Sequence, residues 1–230
     1  MPDPNNTSLI SFNNWTLRIR ESAHPTRRLL LLLHGLTGDE NSMWVFTHNL
    51  PKNYWMVAPR APHTAVQGGY SWRPPQFENL SQLSLDLLRS AAEVLIRLVD
   101  EYSASAGLDA SLFDVMGFSQ GAAMSSVLAF LYPQRIRKVG ILAGFVPSGL
   151  EELVSQRPLN GKPFFVAHGT KDEMVTIDRA RASIEILERA GAKMTYCEDE
   201  VGHKVSLTCL RALRDFLADT RSMPRSGSVD

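Results

Sequence analysis

Residues 113–131 read FDVMGFSQGAAMSSVLAFL and give the clearest indication of the fold. An apolar run at 113–116 leads into Gly117-Phe118-Ser119-Gln120-Gly121, and small residues at helical spacing follow as far as Leu131. A strand, a sharp turn and a helix in this order are the context that the G-x-S-x-G pattern requires. Glycines two residues on either side of Ser119 let neighbouring backbones approach a serine held in strained φ/ψ. We therefore predict a strand–turn–helix unit with Ser119 at its apex, against the alternative of a plain glycine-rich turn.

Short apolar stretches and longer helical patterns alternate on both sides of this unit. The predicted buried strands lie at 29–33, 55–58, 113–118, 139–143, 163–167 and 193–197. Helical patterns lie near 87–99, 120–131, 180–187 and 210–217. Period-2 alternation at Trp15, Leu17 and Ile19 predicts a half-exposed antiparallel edge strand. Together the patterns predict an α/β fold with a mostly parallel sheet flanked by helices on both faces.

One domain accounts for the chain length. The 230 residues suffice for one sizeable core, so we predict a single domain over 1–221 and a disordered tail at 222–230. The connection at 145–162 is too short for a cap domain, so we expect a site that is open from above. The connection at 62–78 is long and contains Trp72; loops of this length are usually functional or disordered, and the aromatic content favours function.

Composition excludes several classes of partner. Lys plus Arg and Asp plus Glu both number 24, so the formal charge gives no reason to expect nucleic acid or an anionic membrane. No apolar run is long enough for an integral membrane segment, and the first ten residues lack the plan of a signal peptide. Cys197 and Cys209 show neither metal spacing nor a disulfide framework, so we expect two reduced thiols. We expect a cytoplasmic protein without a metal or other cofactor; its oligomeric state stays open, a homodimer being one option.

Three residues fit the order that a serine nucleophile elbow imposes, which is serine, then an acid, then histidine. Asp172 lies just past the predicted strand at 163–167, with Glu173 as the neighbouring alternative. Of the two histidines after Ser119, His168 ends a buried strand, where a structural role is more common, whereas His203 lies on the connection before the last helix. The pattern predicts a catalytic triad with Ser119 as nucleophile, Asp172 as orienting acid and His203 as general base.

Acyl transfer also needs two N–H donors aimed at the developing oxyanion, each contributing about 10²–10³ in rate. One donor in this arrangement is the residue after the nucleophile, here Gln120, and the other lies on the loop after an earlier strand. In the segment His34-Gly35-Leu36-Thr37-Gly38 we predict Leu36 as this second donor, because the flanking glycines free the backbone to turn. A strand-ending turn with a structural histidine is the alternative. We expect Trp72 to form an apolar wall for the acyl chain or the alcohol, with core packing as its alternative.

Several ordered motifs resemble the phospholipase/carboxylesterase family of α/β-hydrolases, which includes acyl-protein thioesterases. The resemblance spans residues 28–217. Its motifs are LLHG at 32–35, PRAP at 59–62, Trp72, GFSQG at 117–121, HG at 168–169 with Asp172, and GH at 202–203. The resemblance implies an α/β-hydrolase fold and a serine hydrolase of carboxylic esters or thioesters that uses no cofactor. Its substrate would be a small-molecule or acyl ester.

The chain departs from the family pattern at two positions. Ala122 stands where many members carry a second glycine, and Thr176 stands where a proline commonly follows the valine. The segment at 34–40 looks closer to a branch of poorly defined carboxylesterases than to the eukaryotic thioesterases. Three alternatives share the same residues: a lysophospholipase or lipase with a long apolar channel, cleavage of a peptide or lactone, and a non-catalytic ligand-binding protein on a hydrolase fold.

Overall fold

The computed structural model of the chain describes residues 7–75 and 83–219. Strands in these ranges are β1 (Ser8–Phe12), β2 (Trp15–Arg20), β3 (Arg28–Leu33), β4 (Tyr54–Pro59), β5 (His63–Thr64), β6 (Tyr70–Ser71), β7 (Phe113–Phe118), β8 (Ile136–Leu142), β9 (Pro163–Gly169) and β10 (Lys193–Asp199). Helices in the same ranges are α1 (Leu85–Ser105), α2 (Gln120–Leu131), α3 (Glu151–Ser155), α4 (Ile177–Arg189) and α5 (Leu207–Ala218), together with a 3-10 helix at Ser42–Phe46. The predicted alternation of strands and helices is confirmed.

The main sheet follows the order β1-β2-β4-β3-β7-β8-β9-β10. The strands β4, β3, β7, β8, β9 and β10 run parallel, and β1 and β2 add an antiparallel hairpin at one end. Parallel strands bring their carboxyl ends to one edge of the sheet, so the segments that follow β3, β7 and β9 meet there. This edge holds the predicted site. The β5–β6 pair forms a separate small ribbon inside the connection at 62–78.

The run of leucines in β3 shows why the sheet is covered on both faces. Leu29, Leu31 and Leu33 join one core with α1, α2 and α4, whereas Leu30 and Leu32 join a second core with α5 and the 3-10 helix. Alternate side chains of a strand point to opposite faces, so a strand that is apolar throughout must be buried on both. Each fully buried leucine contributes about 1.5–3 kcal/mol through removal of apolar surface from water.

The prediction that the strand at Trp15, Leu17 and Ile19 lies at the edge of the sheet is wrong. This strand, β2, pairs with β4 on one side and with β1 on the other, and β1 takes the edge. A two-residue turn at Asn13 and Asn14 joins the two strands, and Asn13 adopts φ +49°. Asparagine tolerates the left-handed region that such hairpin turns require.

The prediction of two reduced cysteines is also wrong. A disulfide joins Cys197 on β10 to Cys209 on α5, 12 residues apart in sequence. Because α5 packs against β9 and β10, the two side chains meet in the second core. The Ser206 hydroxyl accepts a hydrogen bond from the N–H of Cys209 and fixes the start of the helix at this point. The pairing depends on the strand–loop–helix geometry rather than on a spacing motif.

The remaining predictions on connections have mixed outcomes. The segment at 145–162 holds the short α3, as expected for a connection without a cap domain. Part of the loop at 62–78 is the β5–β6 ribbon, and its residues 76–78 lie outside the described residues. The tail predicted at 222–230 also lies outside them, so the single domain over 1–221 stays a prediction. No helix in residues 7–75 and 83–219 has the length and hydrophobicity of a bilayer-spanning segment.

Candidate active site

Ser119 occupies the sharp turn between β7 and α2. Its backbone lies at φ +54° and ψ −114°, a region that costs energy for a side chain with a Cβ atom. The two flanking glycines are required by close contacts: a Cβ at Gly117 would lie 2.0 Å from the carbonyl oxygen of Gly121, and one at Gly121 would lie 2.0 Å from the carbonyl oxygen of Leu33. The turn therefore has the strained geometry that the G-x-S-x-G pattern predicts.

The expectation of a site open from above stays a prediction, because residues 76–78 of the long loop lie outside the described residues. Ser119 itself is only 4% exposed. Two neighbouring segments crowd it. A Cβ at Gly35 would lie 3.2 Å from the Ser119 Cβ, and one at Gly144, just after β8, would lie 3.2 Å from the Ser119 carbonyl oxygen. The Gly144 Cβ would also lie 2.2 Å from the methyl group of Ala122, so the side chain at position 122 requires a glycine at 144.

Asp172 and His203 form a hydrogen-bonded pair at the same edge of the sheet. The His203 Nδ1 lies 2.7 Å from the Asp172 Oδ2, and the carboxylate fixes the proton on Nδ1. The other carboxylate oxygen accepts hydrogen bonds from the N–H groups of Met174 and Val175, both at 2.9 Å. With the proton on Nδ1, the neutral ring keeps an unprotonated Nε2 that can accept a proton.

Close backbone packing sets the distance between the loop after β9 and the loop of His203. A Cβ at Gly169 would lie 2.2 Å from the carbonyl oxygen of Val201 and 2.3 Å from that of Gly202. The ring of Phe118, next to the nucleophile, lies 4.9 Å from the His203 ring. Within the described ranges, no hydrogen bond joins the Ser119 Oγ to His203. Such contacts are often long in a protein without substrate and tighten when substrate binds.

The two alternatives near this pair are disfavoured by their placement. Glu173 is exposed, and the carboxylate that contacts His203 is that of Asp172. His168 is buried, and its Nε2 lies 2.7 Å from the carbonyl oxygen of Val175 and 3.5 Å from the Asp172 Oδ2. These contacts hold the loop after β9 from beneath, which fits the structural role anticipated for His168.

A tight turn after β3 carries the predicted second oxyanion donor, Leu36. The N–H of Gly38 bonds to the carbonyl of Gly35 at 3.1 Å, and Thr37 adopts φ +65° within this turn. Across residues 7–75 and 83–219, no turn or loop hydrogen bond uses the N–H of Leu36 or that of Gln120. Their assignment as oxyanion donors stays a prediction.

Burial shapes the charge state of the groups behind this turn. His34 is 1% exposed, and its Nε2 accepts a hydrogen bond from the N–H of Ala61, which leaves the proton on Nδ1 for the carbonyl of Gly35. Desolvation lowers the pKa of His34, so the ring stays neutral. Beside it, the Arg60 guanidinium forms two hydrogen bonds with Glu40, which lower the pKa of that carboxyl group.

Sequence reasoning missed two features of this region, the Glu40–Arg60 ion pair and the contacts of the Gln120 side chain. The first joins residues 20 positions apart, and no local sequence pattern signals it. The Gln120 amide oxygen accepts a hydrogen bond from the N–H of Trp72 at 2.9 Å. No feature of the sequence pointed to this contact.

Trp72 does not form an open wall of the site. Its side chain is fully buried, its Nε1 donates to the His34 carbonyl at 2.8 Å, and its ring lies 5.1 Å from the His34 ring. An apolar ring with one polar N–H gains more from a buried position with a hydrogen-bond partner than from contact with solvent. The core-packing alternative for Trp72 is therefore the one that the structure supports.

Among the described residues, no group of three or more His, Cys, Asp or Glu side chains is placed to hold a metal ion. At the carboxyl edge of the mostly parallel sheet, the described residues bring together a strained serine and an aspartate–histidine pair, next to the turn of Leu36. This fold and arrangement define an α/β-hydrolase.

Comparisons with known proteins narrow this class to a family. The model of the phospholipase/carboxylesterase family matches residues 14–221. Acyl-protein thioesterase 1 of Debaryomyces hansenii is 28% identical over 88% of this chain and 95% of that protein. Carboxylesterase SOBER1 of Arabidopsis thaliana is 27% identical over 83% of this chain and 90% of its own length. The chain belongs to the phospholipase/carboxylesterase family and is a hydrolase.

Solved structures support the fold. The crystal structure of a carboxylesterase from Mesorhizobium loti superposes with a TM-score of 0.78, covering 93% of this chain and 99% of that chain at 20% identity. The predicted α/β-hydrolase fold and the family resemblance are confirmed.

Proposed function

We propose that the protein is a serine esterase that hydrolyses carboxylic esters or thioesters through an acyl-enzyme on Ser119. One observation carries the proposal: the 2.7 Å hydrogen bond between His203 Nδ1 and Asp172 Oδ2, on loops that meet the Ser119 turn at one edge of the sheet. This pair supplies a base with its free nitrogen fixed as Nε2. The arrangement matches the roles of a serine triad.

The reaction proceeds in two steps. Ser119 Oγ attacks the carbonyl carbon while His203 Nε2 takes its proton, and the N–H groups of Leu36 and Gln120 stabilise the oxyanion. The carbonyl re-forms, the bond to the alcohol or thiol breaks, and His203 returns the proton to this leaving group. Water then attacks the acyl-enzyme, gives its proton to His203 and releases the acid, which regenerates the Ser119 hydroxyl.

The experiment is hydrolysis of p-nitrophenyl acetate, butyrate, octanoate and palmitate by the full chain. We expect turnover of esters in this series, with the best chain length sizing the acyl pocket, and a loss of about 10⁴-fold or more in kcat for Ser119→Ala. Ser126→Ala is the matched control, because Ser126 is a buried serine on the same helix whose hydroxyl bonds only within α2. Activity that survives in Ser119→Ala, or is equally lost in Ser126→Ala, would refute the proposal.

If the protein binds esters without hydrolysing them, the same assay should show saturable binding and no turnover above the Ser119→Ala blank.

The location of the protein and its oligomeric state are also part of the proposal. We keep the cytoplasmic location and the homodimer as proposals, and the Cys197–Cys209 disulfide weighs against the first, because cytosolic thiol systems keep most cysteines reduced.

A further inference from the structure

Trp72 is held by hydrogen bonds at both its side chain and its backbone. The indole Nε1 donates to the carbonyl oxygen of His34, one residue before the turn of Leu36. The backbone N–H of Trp72 donates to the side-chain oxygen of Gln120, at the start of α2. One buried residue therefore touches both segments that carry the proposed oxyanion donors.

The Gln120 amide completes this connection. Its nitrogen donates to the Ser71 hydroxyl at 3.1 Å, and its oxygen accepts from the Trp72 N–H, so the backbone donor fixes which end of the amide faces Trp72. The side chain of Gln120 is fully buried. A buried amide whose two ends are both bonded is rigid, because release of either bond would leave a polar atom without a partner.

The residues just before Trp72 also contact the turn of Leu36. The N–H of Thr37 donates to the carbonyl of Tyr70 at 3.0 Å, and the N–H of Tyr70 donates to the carbonyl of Gly38 at 2.9 Å. A Cβ at Gly69 would lie 1.9 Å from the Thr37 carbonyl oxygen, so the two backbones are in direct contact. The residues 70–72 thus bridge the turn after β3 and the start of α2.

We infer that Trp72 and the Gln120 side chain are positioning groups that fix the separation between the N–H of Leu36 and the N–H of Gln120. The inference rests on the proposed function, since it assigns a purpose to the two donors named there. Trp72 acts from behind the site, through His34 and Gln120, and does not contact substrate.

This separation matters most in the transition state. Donor groups of an active site need placement within about 0.5 Å, and the oxyanion charge develops only as the tetrahedral intermediate forms. A displaced donor therefore weakens transition-state binding more than ground-state binding. Loosening of the Trp72 connection should lower kcat and leave KM nearly unchanged.

The test compares two tryptophans. Trp72→Phe removes the indole N–H that bonds to His34, and Trp55→Phe removes an equivalent buried N–H that bonds to the Tyr102 hydroxyl at 3.2 Å, remote from the nucleophile turn. Steady-state kinetics with p-nitrophenyl butyrate, normalised by active-site titration with a fluorophosphonate, give kcat per folded site. Inhibition by a trifluoromethyl ketone, which forms a tetrahedral adduct, reports the oxyanion contact directly.

We expect Trp72→Phe to lower kcat about 10-fold, a fraction of the 10²–10³ that loss of a whole donor costs, with KM changed less than about 3-fold. Affinity for the ketone should fall in parallel with kcat/KM. Trp55→Phe should show neither change, although both variants lose thermal stability. Equal kinetics in the two variants, or a loss confined to KM, would overturn the inference.

A second variant keeps the test decisive if Trp72→Phe does not fold. Gln120→Met preserves side-chain length and the backbone N–H but removes both amide hydrogen bonds, and we expect the same selective loss of kcat and of ketone affinity. If neither variant folds while Trp55→Phe does, the network is needed for folding and the inference is refuted. Turnover that persists in Ser119→Ala would instead refute the proposed function, whatever the result at Trp72.

Discussion

Two buried aspartates lie at opposite ends of the parallel strands and have similar numbers of hydrogen bonds. Asp172, beyond the carboxyl end of β9, accepts from two backbone N–H groups and from His203. Asp114, at the second residue of β7, accepts from the guanidinium of Arg137, the N–H of Lys138 and the hydroxyl of Tyr54. The partners differ in kind, because a guanidinium is charged at every working pH whereas an imidazole can gain or lose a proton.

This difference separates a structural carboxylate from a candidate catalytic one. The Asp114 carboxylate is paired with the Arg137 guanidinium, and burial together with this carboxylate raises the pKa of Tyr54, so its proton stays in place. Beside it, Lys138 donates to the Asp219 carbonyl at 2.7 Å and holds the end of α5. Burial of an acid therefore does not identify a site; the titratable partner of that acid does.

The strongest test of the comparison is Asp172→Asn. The asparagine oxygen would keep the hydrogen bonds from the N–H groups of Met174 and Val175. Its NH₂ group would then face His203 and force the ring proton onto Nε2. Because a serine triad with this wrong tautomer loses about 10⁴ in kcat, we expect a fall of that size in p-nitrophenyl butyrate turnover with little change in unfolding temperature.

Asp178→Asn is the control for this experiment, since Asp178 is an exposed aspartate on the next helix. It should hydrolyse the ester at the wild-type rate. An Asp172→Asn variant that retained more than about a tenth of wild-type kcat would remove Asp172 from the triad and end the distinction between the two aspartates.

The matching change at the other edge is Asp114→Asn. Here the Arg137 guanidinium would lose its buried counter-charge, and breaking a buried ion pair from one side costs about 3–5 kcal/mol. Urea unfolding should show a loss of that size in the free energy of unfolding, with the kcat of the folded fraction close to wild type. A stability loss below about 1 kcal/mol would mean that the pair at this edge is not buried as described.

Helix α5 is held at one end by the disulfide at Cys209 and at the other end by Lys138. Replacement of both Cys197 and Cys209 by serine should lower the free energy of unfolding by about 3 kcal/mol, as expected for a closed loop of this length, 12 residues in sequence separation. Reduced wild-type protein should unfold like the double variant. Thiol titration of unreduced protein in denaturant should find no free thiol; two free thiols would contradict the cross-link.

Much of the fold was predictable from sequence because its signals are local. The apolar run of β3 and the strand–turn–helix pattern around Ser119 determine their own structure, and α2 begins and ends as predicted. The order of serine, aspartate and histidine led to a pair, Asp172 and His203, that the structure brings into contact.

The features that sequence did not reveal depend on tertiary packing. Strand β1 is largely exposed, and its residues SLISF do not alternate between apolar and polar, so it was missed. The Cys197–Cys209 bond follows from how α5 packs on β10. The sequence does not distinguish a buried aromatic residue in a long loop from one that lines a pocket. Only the structure shows that Trp72 is buried and that its indole bonds to the His34 carbonyl.

The close approach of positions 122 and 144 has a consequence for how this family can vary. Only one of the two positions has room for a methyl group, since a Cβ at Gly144 would lie 2.2 Å from that of Ala122. Substitutions at positions 122 and 144 are therefore coupled. A lineage that acquires alanine at 144 passes first through glycine at 122, and the new methyl group would still lie 3.2 Å from the Ser119 carbonyl oxygen.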